Sequence, residues 1–214
     1  MSMSRPSLVI ATSNAGKFRE FSQLLGALPL RLHSLARLQA APVVSEDGST
    51  YADNAAQKAV TIARWSGCAT LADDSGLEVD ALGGAPGLHS ARYAGLAQDS
   101  EANIARLLQA LRDVPAAARS ARFRCVLVVA VPDGATLQAE GACEGRILEA
   151  PCGAGGFGYD PVFFHAASGL TFAEMEAAAK NRLSHRAAAC AALSSELLGF
   201  LSAHAQACSR CVLG

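Results

Sequence analysis

Near its start the chain runs from an apolar strand signal straight into a polar, glycine-bearing loop and then into an amphipathic helix: residues 8–12, 13–16, and 17 to about 25. Phe18, Phe21, Leu24 and Leu25 recur at helical spacing in the last of these. Strand, tight loop and helix in that order are the unit from which α/β proteins are built. The pattern continues in kind, with a short strand around residues 30–35 and a helix from near Thr50 through Ala55, Ala59, Ile62 and Ala63 to Trp65, with Gly67 as its stop. Short strands at 69–72 and 77–82 are expected to be interrupted by Asp73-Asp74-Ser75-Gly76, and residues 83–87 form a loop. A third helix covers about 100–112, with Ile104, Leu107, Leu108 and Leu111 on its buried face. A β-branched run at 121–131 turns at Asp133-Gly134 and returns through 136–143 as a hairpin. Glycines are densest at 153–158, and a last helix spans about 184–203. With no repeat and no low-complexity linker, residues 1–214 read as a single mixed α/β domain, a twisted sheet flanked by helices and bent into two lobes about a cleft.

Composition excludes several classes. The chain is 51% hydrophobic and 17% charged, which is too apolar for intrinsic disorder. Eighteen basic against nineteen acidic residues argue against a nucleic-acid polymer or an acidic membrane as partner. No run approaches the roughly 18 apolar residues of a membrane span. Met1-Ser-Met-Ser-Arg-Pro6 leads into an apolar run that the polar loop cuts off, unlike a signal peptide, so the expected compartment is the cytoplasm. The seven cysteines are odd in number and scattered, and in that compartment they read as reduced, partly buried thiols. Cys208 and Cys211 have the spacing of half a zinc site or a redox pair, but lack a second ligand pair and fall in a tail expected to fray.

Five segments could carry chemistry. Thr12-Ser-Asn-Ala-Gly-Lys17 lies at a helix start, where free N–H groups and the helix dipole suit a phosphate, although an ordinary cap would look similar. It lacks the first glycine and the Gly-Lys-Ser/Thr ending of a Walker A loop. Asn54 and Lys58 are four apart and share a helical face, while Glu46 beside Gly48 reads as a turn residue or as a ligand for a hard cation. Asp73 and Asp74 close an apolar strand, where adjacent carboxylates require a cationic neighbour. Alternation points one of them at a ligand and leaves the other to brace the backbone or bond a neighbour; Asp74 is assigned the outward role, although the pattern alone does not choose between them. In Gly155-Gly-Phe-Gly-Tyr-Asp-Pro161, Phe157 could stack on a base, Asp160 could accept at the base edge or brace the loop, and Tyr159 and Phe163 have core packing as the plain alternative. Lys180 and Ser184-His185-Arg186 bring two cations and an imidazole to the start of the last helix, a placement that calls for an anion nearby.

Taken in order, these segments and the block Gly-Gly-Ala-Pro-Gly-Leu-His-Ser-Ala-Arg-Tyr at 83–93 resemble the inosine/xanthosine triphosphate pyrophosphatases over about residues 8–200. The resemblance implies a long twisted sheet, an active-site cleft between two lobes, a homodimer, and magnesium-dependent hydrolysis of ITP, dITP and XTP to monophosphate and pyrophosphate. By the same resemblance Thr12, Ser13, Asn14, Ala15, Gly16, Lys17, Lys58 and Lys180 surround the phosphates, and Glu46 and Asp74 hold Mg²⁺. Asp74 is also the proton acceptor, Ser75 joins the substrate site, Phe157, Gly158, Tyr159 and Asp160 enclose the base, and His185 and Arg186 contact it. Asp47 departs from the family, which commonly has a neutral hydroxyl there, and the resemblance assigns no role to the tail after Ala203 with its two cysteines.

Chemistry supports these residue types. A triphosphate carries about four negative charges, which lysines, an arginine and Mg²⁺ can neutralise. Hypoxanthine and xanthine offer a 6-oxo group and an N1 proton where adenine has a 6-amino group and a bare N1. A site with donors at position 6 and an acceptor at N1 therefore leaves buried groups unpaired on adenine. Asp160 is the candidate acceptor, and donors near His185 and Arg186 are the candidates for the 6-oxo contact. Two other functions remain open: a nucleotide-binding or sensing module, and a pyrophosphatase for modified pyrimidine triphosphates.

Overall fold

The computed structural model describes residues 5–38, 40–95, 99–208, 211 and 213. Its seven strands are β1 (Ser7–Ile10), β2 (Arg31–Ser34), β3 (Ala69–Val79), β4 (Ser120–Ala130), β5 (Thr136–Ile147), β6 (Phe163–His165) and β7 (Leu170–Thr171). The helices are α1 (Ala15–Leu24), α2 (Tyr51–Ser66), α3 (Ser100–Ala110), α4 (Ala177–Leu183) and α5 (His185–Ala203). The strands form one sheet in the order β2-β1-β3-β4-β5-β6-β7. β1 pairs in parallel with both β2 and β3, whereas β6 is antiparallel to β5 and to β7, so the sheet is mixed.

Local chemistry explains the helix limits. Thr50 and Asp53 make a reciprocal capping box at the start of α2, and Gly67, with φ of 66°, stops it in the left-handed conformation. Asn14 caps α1 by accepting from the Gly16 and Lys17 amides.

The chain divides into two compact units. The first comprises residues 1–74, 125–141 and 189–214. Alternate residues of β1 and β4 there enter two cores: Leu8, Ile10, Leu127 and Val129 pack with Phe21, Leu193 and Leu197, while Val9, Ala11, Val126 and Val128 pack with Ala55, Ala59 and Ile62. Helices thus cover both faces, which is why these strands read as unbroken apolar runs. The second unit, 75–124 and 142–188, has one core in which Leu77, Val79, Ile104, Leu107 and Met175 surround three phenylalanines. Phe123, Phe163 and Phe172 lie with ring centroids 4.5–5.8 Å apart.

Three expectations are corrected. Asp73-Asp74-Ser75-Gly76 does not interrupt a strand: β3 runs continuously for 11 residues, because the two carboxylates find partners without the backbone leaving the sheet. The strand expected at 77–82 ends at Val79, followed by a 3₁₀ turn that Gly83 closes with φ of 61°. Nor are all the cysteines thiols, since Cys68 and Cys211 form a disulfide with Cα atoms 4.5 Å apart. Spacing along the chain pairs Cys211 with Cys208, but folding returns the tail to the start of β3 and pairs it with Cys68. Cys125, Cys143 and Cys190 are buried thiols, and burial pushes Cys143 up to about 11. Among the described residues no helix is long and apolar enough to cross a membrane.

A cross-link between residues 143 apart restricts the unfolded chain strongly. Peptide mapping without reductant should recover the Cys68 and Cys211 peptides joined, and Cys211→Ser should lower Tm by roughly 5–10 °C. An unchanged Tm together with separate peptides would show that the bond does not form.

Candidate active site

The first unit brings together a loop, a helix face and the middle of β3. Between β1 and α1 the Thr12 hydroxyl accepts from the Asn14 amide at 3.1 Å, and Asn14 Oδ1 accepts from Gly16 and Lys17 at 2.8 and 3.1 Å. Both side chains therefore shape the turn, as in an ordinary cap, while Ser13, Asn14 and Ala15 remain exposed. Thr12, Ser13, Asn14 and Ala15 line an open cavity of about 350 Å³ with Phe18, Arg19, Ser34 and Ala36. Lys17 is not a solvated lysine: its Nζ lies 2.6 Å from Asp73 Oδ2, and the Asp73 side chain is only 1% exposed. Asp73 bonds a neighbour, one of the two roles the sequence left to it, but Asp74 is buried and bonded as well.

Asp74 Oδ2 accepts from Asn54 Nδ2 at 2.9 Å, both groups being buried. Asn54 Oδ1 in turn accepts the Gly48 amide at 2.8 Å, which ties the segment bearing Glu46 to α2. A Cβ on Gly48 would stand 2.6 Å from Asp53 Cβ and 2.8 Å from Asn54 Oδ1, so no larger residue fits that contact. One turn beyond Asn54, Lys58 forms an ion pair with Glu46. Burial raises the Asp74 pKa above the usual carboxylate range; the Asn54 hydrogen bond and Lys58 oppose the shift, and the charge of Glu46 adds to it. Burial lowers the pKa of Lys58, but Asp73, Glu46 and Asp74 outweigh that effect and hold it above the ordinary lysine value.

The negative charge of Glu46 bears on Asp74, and with Asp73 these make three carboxylates against Lys17 and Lys58, an arrangement that a divalent cation would relieve. Their oxygens are hard donors. Among the described residues no group of three or more histidine, cysteine, aspartate or glutamate side chains is placed to enclose a metal. This set fits an ion that takes few protein ligands and fills its shell with water and phosphate oxygens.

The second unit holds the aromatic turn. Asp160 Oδ2 accepts the Phe157 amide at 2.8 Å and the Lys180 ammonium at 2.6 Å, and both charged side chains are nearly fully buried. Gly156 has φ of 73°, and a Cβ there would lie 2.1 Å from Asp160 Oδ2, so only glycine permits the turn to close on its own carboxylate. Of the two roles open to Asp160, the structure displays the brace. Lys180 Nζ lies 4.7 Å and Arg186 Cζ 5.2 Å from the centre of the Phe157 ring, so two cations address one aromatic face system. His185 is buried at the start of α5 and stacks on Phe123 with centroids 4.8 Å apart. Ser75 is half-buried on β3, and Gly158 adopts φ of 63°. The Tyr159 ring belongs to the core, with its hydroxyl donating to the Ser90 carbonyl at 2.8 Å.

The cations ahead of the last helix gave a reason to expect a ligand; one of them, Lys180, lies in α4 and pairs with Asp160 within the protein. Sequence reasoning singled out Asn54 but gave it no role at the site, where it fixes Asp74. Its spacing to Lys58 put it on the correct face, but nothing in the pattern showed which carboxylate it would meet.

Strands β2, β1 and β3 in parallel, a capped loop leading into α1, and a buried acid pair near Lys17 and Lys58 form an architecture that suits a protein handling phosphorylated small molecules. This chain belongs to the Ham1 family, whose model matches residues 8–196. It is 49% identical over 192 residues to a dITP/XTP pyrophosphatase of Shouchella clausii, covering 90% of this chain and 96% of the relative. It is 52% identical to one from Xanthomonas campestris, covering 89% and 96% of the two chains. Among solved structures, Ham1 proteins of Staphylococcus aureus and Coxiella burnetii superpose with TM-scores of 0.80 and 0.82, each at 37% identity over 91% of this chain and 99% of theirs.

Removing one partner of a buried ion pair costs about 3 kcal/mol or more. Asp160→Ala should therefore shift urea unfolding by about that amount; a midpoint equal to wild type would show that the Lys180–Asp160 pair contributes nothing.

Proposed function

We propose that this protein hydrolyses the non-standard purine nucleoside triphosphates ITP, dITP and XTP to the nucleoside monophosphate and pyrophosphate, clearing deaminated purines from the nucleotide pool. One observation carries the chemistry: a carboxylate, Asp74, has its pKa raised by burial while the Asn54 hydrogen bond fixes its orientation, in a chain that belongs to the Ham1 family. A carboxylate that binds protons more tightly than usual is a stronger general base.

In this reading Asp74 takes a proton from water as the water oxygen bonds to the α-phosphorus. The bond from that phosphorus to the bridging oxygen then breaks, and pyrophosphate leaves. Amides and side chains of the loop 12–17 receive phosphate oxygens, with Lys17 and Lys58 supplying charge. Glu46 and Asp74 would hold Mg²⁺, which when bound neutralises triphosphate charge and favours the leaving group. Phe157 stacks on the purine. Lys180 acts at the base rather than at the phosphates, on the strength of its contacts with Asp160 and the Phe157 ring. Lys180, His185 and Arg186 form a donor-rich surrounding that suits a 6-oxo purine and disfavours the 6-amino group of adenine. Ser75 contacts substrate beside the acid. We take both units as one catalytic domain, since β3, β4 and β5 each run through both. A homodimer in the cytoplasm completes the proposal and rests on the resemblance of the motif blocks.

A pyrophosphate-release assay with ITP, XTP, dUTP, dTTP and the four ordinary nucleotides tests the reading. ITP and XTP should exceed the others by about 100-fold or more in kcat/KM, and equal rates across the panel would overturn it. Asp74→Asn should lower kcat by about 10²–10⁴ with KM within a few-fold; near-wild-type turnover would remove Asp74 from its role. Chelation should abolish turnover and added Mg²⁺ restore it, whereas activity in excess chelator would argue against a metal.

A further inference from the structure

The block at 83–93 has no part in the chemistry above, yet its residues make polar contacts with β3, α3 and the aromatic turn. From the end of β3 the chain folds back on itself: the Val79 amide donates to Ala85 at 3.2 Å and the Gly84 amide to Val79 at 3.0 Å. A 3₁₀ segment, Gly87–Arg92, follows and presents Ser90, which is buried. The Ser90 hydroxyl donates to the Gly87 carbonyl at 2.6 Å and accepts the Leu77 amide of β3 at 2.9 Å. A side chain thus takes a strand amide that a neighbouring strand would otherwise receive. The Ser90 carbonyl accepts the Tyr159 hydroxyl, which arrives from a segment 69 residues away. Asn103 of α3 locks the segment from its other side, donating to the Ala91 carbonyl at 3.2 Å and accepting the Ala94 amide at 2.6 Å.

Tyr159 lies two residues beyond Phe157 and next to Asp160, and its carbonyl accepts from the amides of Val162 and Phe163. It is the fixed point of the turn that holds the aromatic ring. Phenylalanine would fill this buried position equally well by volume, so the hydroxyl is present for its bond. Burial raises the Tyr159 pKa, with Tyr93 adding to the effect, and the proton stays on the oxygen. The chain of bonds runs from the aromatic turn through Tyr159 and Ser90 to Leu77, three residues along the same strand from Asp74.

We infer that Ser90 and Tyr159 are positioning residues for purine binding, which seat the turn bearing Phe157 against strand β3 at Leu77. The inference rests on the pyrophosphatase reading and assigns the 83–93 block a place in it. Neither residue needs to touch substrate. Their effect is on how well the aromatic ring and its cations are held for the base, so it falls on affinity and base preference and spares the proton transfer at Asp74.

Tyr159→Phe removes one oxygen and leaves the ring. With ITP and Mg²⁺ its KM should rise by about tenfold, the equivalent of one buried hydrogen bond, and its preference for ITP over ATP should fall, while kcat stays within about twofold. Ser90→Ala, which cuts the link at Leu77, should reproduce the same split and serves if Tyr159→Phe does not fold. A folded variant with wild-type KM and wild-type base preference would overturn the inference, even if its Tm were lower, because a purely structural brace moves only stability. Wild-type protein that releases pyrophosphate no faster from ITP than from ATP would instead bring down the functional reading, and this inference with it.

Discussion

Two adjacent carboxylates buried in the middle of a strand would be intolerable without partners, and the first unit is arranged around meeting that need. Lys17 reaches Asp73 from the first turn of α1, and Asn54 reaches Asp74 from the first half of α2. Each contact fixes a helix as well as a charge. The loop before α1 takes its shape from the Asn14 cap, and its direction is set by the lysine that follows. The segment carrying Glu46 is tied to α2 through the same Asn54 amide group that orients Asp74. One strand therefore organises the loop before α1, Asp74 and the segment carrying Glu46.

The second unit solves the same electrostatic problem in the opposite sense. There the buried charge is a cation, and Asp160 is the carboxylate that meets it. Because Asp160 also receives the Phe157 amide, the ion pair and the turn form together, and Gly156 is required where the carboxylate passes. The aromatic ring then lies beneath two cationic side chains. A carboxylate that the sequence offers as a base-edge acceptor is thus engaged in holding the turn of Phe157 and the lysine beside its ring.

Much of this was legible in the residues. Apolar periodicity located α1, α2, α3, α5 and the β4–β5 hairpin, because helix and strand periods differ and the stop at Gly67 is local chemistry. The acid pair, the lysines and the glycine turn were legible as types that demand partners. What the pattern could not supply was pairing across the fold. It read Asp73–Gly76 as a break, since two acids in a strand look like a turn until Lys17 and Asn54 are brought to them. It did not show that Lys180 pairs with Asp160. The short elements α4, β6 and β7 carry too few residues for a periodic signal, and the partner of Cys211 depends on where the tail returns. Asn54 meets Asp74, and Ser90 meets Leu77 and Tyr159, through hydrogen bonds between residues distant in sequence, which leave no trace in local composition.

The Cys68–Cys211 bond also changes the topology of the polypeptide. It closes a covalent ring that contains every element from β3 to α5, leaving only β1, α1, β2 and α2 outside. A peptide bond hydrolysed anywhere in that ring, including the exposed glycine-rich stretch before Phe157, opens the circle without releasing a fragment. Under oxidising conditions a nicked molecule would keep its acid-bearing strand and its aromatic turn on one covalent body, and only a reductant would let the two pieces separate.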